Sequence, residues 1–185
     1  YTNGLLGKFQ SSEYDTFESF MYALSYWSSW SNGFNIWRKD FEQIGDIQMN
    51  RLFPHTSLFL TQHHAKGYCI NDRLLFDVQR IPKRGGHNKF EAFTIEYPSL
   101  IDQCRKEGFI SEKCEKHILH DIMTGFLPSL IFNKYIARIE TFDATNFRQN
   151  IKRYFPKYAY GLVIFLSIFQ LVKLAIRKIN NAIRK

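Results

Sequence analysis

The chain has 185 residues, 45% of them hydrophobic, so it can hold one modest domain and an appended element. A mean hydropathy of −0.30 excludes a polytopic membrane protein. The odd cysteine count (Cys69, Cys104, Cys114) excludes a disulfide framework of the small secreted kind. Formal net charge is +8, which suits anionic lipid, nucleic acid or acidic protein neighbours without choosing among them. Aromatic residues make up 17%, enough to bury surface against partners as well as within the chain.

Tyr1 stands where a start Met would, and no apolar signal pattern follows. The expectation is a removed organellar presequence or a fragment. Residues 1–12 read as an extended arm. Ser12 to Asp15 resembles a capping box, and Tyr14, Phe17, Phe20, Met21, Leu24 and Trp27 follow at helical spacing. Tyr22, Tyr26 and Trp30 form a second stripe, so a helix over about 13–31 is aromatic on most of its circumference. Such a helix is buried or touches lipid, and its serines leave packing against partner subunits or a place at the membrane interface as the expectation. Phe17, Tyr22, Tyr26, Trp27 and Trp30 are therefore expected at an interface with other subunits. Trp37, Phe41, Ile44 and Ile47 predict a second helix over about 35–52, closed by Pro54.

The character then changes to strand formers. Ser57 to Thr61, Gly67 to Ile70, Leu74 to Val78 and Phe90 to Tyr97 predict a small antiparallel sheet across about 57–97. Asn71-Asp72 carries a hairpin turn signal. The loop Arg80 to Lys89 holds two glycines among Lys83, Arg84 and Lys89. It suits a solvated tip or an anion contact but is not a P-loop. Helical patterns return after Pro98, punctuated by Gly108, Gly125 and Pro128, with Ser99, Ser111 and Ser129 as caps.

Cys114, His117, His120 and Asp121 share one helical face, with donor types that zinc accepts. Against a metal, one helix rarely supplies every ligand and no CxxC stands elsewhere, so no metal and no cofactor is expected. Cys104 and Cys114 have nine residues between them. This resembles one half of the twin CX9C helical hairpins of the mitochondrial intermembrane space, a family that needs two such pairs. No GxSxG, HExxH or GxGxxG is present, so no catalytic constellation is named.

Tyr158 to Val172 carries no charge. As a helix it spans roughly 22 Å, or about 28 Å if extended to Ile176 with Lys173 snorkelling. The expectation is a single transmembrane helix over 157–176, after a 1–156 domain at the membrane surface and before a basic amphipathic tail at 177–185. Lys157, Lys173, Arg177 and Lys178 are then the expected contacts to anionic phospholipid such as cardiolipin.

The expected fold class is α+β, mainly helical with a small antiparallel sheet and one C-terminal transmembrane helix. The expected role is a non-catalytic accessory subunit of a large mitochondrial inner-membrane complex, respiratory chain or ATP synthase, with no nucleic-acid partner. Two alternatives of other classes are an organellar ribosomal protein contacting RNA and a membrane-anchored metalloenzyme resting on Cys114, His117 and His120.

Overall fold

A computed structural model describes residues 2–30, 35–75 and 86–183, the side chains of 173–183 excepted. The described chain is mainly helical with one two-stranded antiparallel sheet. It divides into two units, Tyr1–Gln79 with Glu96–Leu119, and Arg80–Ile95 with His120–Lys185.

In the first unit, strand β1 (Ser11–Tyr14) pairs with β2 (Tyr68–Asn71), Ser11 opposite Asn71 and Tyr14 opposite Tyr68. Helix α1 (Phe17–Leu24) starts where the Thr16 hydroxyl accepts from the Ser19 amide. It stops at Ser25, whose φ of 52° lies in the left-handed region, and a 3₁₀ segment Ser25–Ser29 follows. Helix α2 is short (Arg38–Phe41), and α3 (Pro54–Leu60) opens on its proline. Two further helices complete the unit, α5 (Tyr97–Lys106) and the first part of α6 (Glu112–Asp121). Gly108, at φ 79°, ends the first of these, and the Ser111 hydroxyl accepts from the Cys114 amide to start the second. Arg105 ties the two together, reaching Asp102 at 2.6 Å and Glu115 at 2.7 Å. The core gathers Phe17, Phe20, Met21 and Leu24 with Phe53, Phe59, Tyr97 and Ile101. The buried Tyr97 hydroxyl meets Ser28 Oγ at 2.6 Å and donates to the Ser25 carbonyl at 3.3 Å, so its polar tip is satisfied.

The arm before β1 is not loose. It wraps the buried Asp72 carboxylate, which accepts from the Thr2 hydroxyl and from the amides of Leu6, Lys8 and Phe9 at 3.1, 2.8 and 3.2 Å.

The second unit begins with α4 (Lys89–Glu91), capped by Asn88, whose side-chain oxygen accepts from the Phe90 and Glu91 amides. Phe90 is fully buried against Phe142 and Phe147. Helix α7 (Leu127–Ile131), the short α8 (Phe147–Asn150) and the long α9 (Ala159–Ile183) complete it. Ala159, Val163 and Ser167 form the buried stripe of α9, which packs against α7.

Several expectations are corrected. Ser57 to Thr61 is helical because Pro54 opens a helix there, and Phe90 to Tyr97 is helical because Asn88 caps one, so neither joins the sheet. Among the described residues β2 pairs with the N-terminal β1, and the strand expected at Leu74 to Val78 lies largely outside the described residues. The basic loop lies mostly outside the described residues. The helix expected to stop at Gly125 runs on, and another runs through Pro98, where the last strand was expected to end. A π turn, Ala92–Glu96 or Ile122–Phe126, stands just before Pro98 or Pro128. Proline lacks an N–H and its ring clashes with the carbonyl four residues back, and an i→i+5 turn absorbs both.

The transmembrane expectation is also corrected: among the described residues no helix is long and apolar enough to cross a membrane. The expected 157–176 span and 177–185 tail belong largely to one helix, α9, running from Ala159 to Ile183. Its uncharged run is short, and the first half of that run turns a stripe into the unit's own core. The apolar residues that suggested lipid are partly core residues.

Candidate functional site

The first unit carries a half-open cavity of about 830 Å³. Its walls come from β1, β2, α1 and the segment around α2. The buried part of the lining is mostly apolar, with Phe20, Leu24, Phe59 and Ile70 beside the hydroxyl residues Thr2 and Ser28. Phe20 stacks on Tyr68 with ring centroids 5.0 Å apart and meets Tyr14 edge-on at 6.1 Å. Trp27 and Trp30 are half-buried in the wall, and Trp37 is 76% exposed at its margin. All three tryptophans of the chain thus line one cavity. The polar lining includes three carboxylates, Glu13, Asp15 and Asp40. Burial pushes the Tyr68 phenol up, and its hydroxyl donates to the Gln62 carbonyl at 2.9 Å. A smaller apolar pocket of about 320 Å³ lies by His63, Leu100 and Phe109, whose ring stacks on His63 at 3.6 Å.

The second unit carries a different feature. On α9, Phe165 is 64% and Ile168 53% exposed, and Leu171 and Val172 are exposed as well. The opposite stripe is buried, so the outward face is an uncharged apolar surface.

The expected partner contacts divide. Phe17 is 5% exposed and packs on Phe59 and Tyr68, which gives it to the unit's own core rather than to a partner. Tyr22 is exposed but stacks on His117 at 3.8 Å. Tyr26 and Trp27 are half-buried beside one another, and Trp27 and Trp30 face the cavity. Lys157 is exposed before α9. The side chains of Lys173, Arg177 and Lys178 lie outside the described residues. From sequence Glu13 and Asp15 read as acids at a helix start and Trp37 as part of a helix face, and neither they nor Asp40 were expected at a site. The signal for them was the closeness of Trp27, Trp30 and Trp37, which periodicity alone assigned to two helices.

The metal-like quartet is not gathered. Cys114 is fully buried with its Sγ 3.8 Å from the Glu18 carbonyl. His117 Nε2–H donates to the Tyr22 carbonyl at 3.1 Å, and His120 lies 3.7 Å from Asp121. Among the described residues no group of three or more His, Cys, Asp and Glu side chains is placed to hold a metal. Cys104 and Cys114 are free, not bridged, and burial pushes both thiols up to about 12. Neither supplies a thiolate at neutral pH, and thiolate is the nucleophilic form. Comparison with protein families, with curated proteins and with solved structures finds no match to this chain.

Proposed function

We propose that the chain is a non-catalytic accessory subunit of a large protein assembly, of the mitochondrial inner-membrane kind, which it joins through the outward face of α9. The observation that carries this is that exposed face itself, Phe165, Ile168, Leu171 and Val172 on a helix held from behind by Val163 and Ser167. No charge interrupts the sequence from Tyr158 to Val172, so the complementary occupant is an apolar surface of a neighbouring subunit. Burying Phe165 and Ile168 contributes roughly 1.5–3 kcal/mol for each side chain. The choice of assembly rests on composition, the aromatic excess and the basic balance. Anionic phospholipid such as cardiolipin is the second partner on the same ground, through Lys157, Lys173, Arg177 and Lys178.

The test is migration on a native gel after mild detergent extraction, with wild type beside a Phe165→Glu, Ile168→Glu double variant. The wild type is expected to run with a respiratory-chain or ATP-synthase complex. The variant, with unchanged helix content and thermal midpoint, is expected to run alone. A wild type that migrates as a lone monomer or a dimer of itself overturns the proposal, as does a variant that stays with the complex.

A further inference from the structure

The cavity of the first unit is independent of the α9 face and carries its own chemistry. The chain has 25 Lys and Arg against 17 Asp and Glu, yet the described lining of this cavity holds three carboxylates and no Lys, Arg or His. Local charge therefore runs against the charge of the whole molecule. Glu13 and Asp15 are exposed at the margin and Asp40 is half-buried. Among the described residues none forms a salt bridge with any of the three. The same margin carries the indoles of Trp27, Trp30 and Trp37 and the phenol of Tyr14. Indole faces are the strongest π partners for a cation, and carboxylates add a long-range attraction of the same sign. The wall already accepts a positive group, since Lys8 Nζ sits 5.8 Å from the Tyr14 ring centroid and 3.2 Å from its hydroxyl. Behind this margin the buried lining is mostly apolar, with Leu24, Phe59 and Ile70, beside the hydroxyl residues Thr2 and Ser28. A volume of about 830 Å³ lies within the ~300–1,000 Å³ range of small-molecule sites and exceeds what one ammonium group fills.

We propose that this cavity binds a soluble amphiphilic organic cation, a protonated or quaternary amine with an apolar body. The charged head sits among Glu13, Asp40 and the indole rings, and the apolar body reaches toward Phe59 and Ile70. A bare metal cation is disfavoured because the aromatic and aliphatic walls offer it few oxygen ligands. An anionic amphiphile has the right body but meets three carboxylates.

The tryptophans give the test its signal, because any occupant of the cavity lies beside all three. The intact protein is titrated with hexyltrimethylammonium, tetramethylammonium and hexanesulfonate while tryptophan emission is followed. Hexyltrimethylammonium is expected to give a saturable change with an affinity at least tenfold above that of tetramethylammonium, which lacks the apolar body. Hexanesulfonate is expected to give none. An Asp40→Asn, Glu13→Gln double variant is expected to weaken hexyltrimethylammonium at least fivefold at an unchanged thermal midpoint. Trp37→Leu, at a site 76% exposed, is expected to weaken it without unfolding the unit. Three results overturn the proposal: an equal response to the sulfonate, no loss in either variant, and displacement of the amine by a tetralysine peptide that binds more tightly than the amine does.

Discussion

Asp72→Ala is the sharpest test of how the first unit is held together. The carboxylate is fully buried and accepts from three backbone amides and the Thr2 hydroxyl, closing residues 2–9 over β2. Alanine leaves those amides without an acceptor. At roughly 1 kcal/mol net for each unmade backbone bond, the substitution costs about 3 kcal/mol. Asp72→Asn keeps one acceptor oxygen but turns an amide nitrogen toward donors, and is expected to cost about half as much. The pH dependence has a definite sign. Burial by itself raises the Asp72 pKa, but the Thr2, Leu6, Lys8 and Phe9 hydrogen bonds outweigh it and hold the carboxyl below its ordinary value. A depressed folded pKa means the contribution is fully present above the unfolded value of about 3.9 and lost as pH falls through the folded one. The assay is urea unfolding followed by tryptophan emission, since all three tryptophans lie in this unit. With a urea slope of about 1–3 kcal/mol/M, the midpoint for Asp72→Ala is expected to fall by at least about 1 M. A loss below about 0.5 kcal/mol at pH 7, or a gap from wild type that stays constant down to pH 2, refutes the argument.

Three further outcomes are expected. A maleimide added to the native protein should modify the exposed Cys69 alone, with Cys104 and Cys114 reacting only in denaturant; mass spectrometry counts the adducts. Because burial raises both inner thiols, the folded chain keeps protons that the unfolded chain releases, so stability should fall as pH rises above about 8.5. Within the second unit, Phe90→Ala should cost about 3–5 kcal/mol by circular-dichroism melting, while Phe165→Ala should stay within about 0.5 kcal/mol, since one ring is fully buried and the other 64% exposed.

Much of the local grammar was legible in the chain. Thr16, Ser111 and Asn88 cap helices through short-range side-chain bonds, and Gly108 ends one because it takes a positive φ at no steric cost. Of these, Ser111 and Gly108 were read correctly from sequence, and Thr16 and Asn88 were not. The tryptophan cavity was out of reach. It needs β1, β2, α1 and the α2 segment at once, and only long-range pairing brings Glu13 beside Cys69.

The sequence by itself determined the predominantly helical class, the turn at Gly108 and the uncharged run ending at Val172. Those follow from local sterics and from residue chemistry, which act over a few positions. Tertiary structure alone decided how α9 divides into a buried stripe and an exposed one. A hydropathy run records how apolar a segment is. Whether those side chains meet the chain's own core, a neighbour or lipid depends on what the fold brings against each face of the helix.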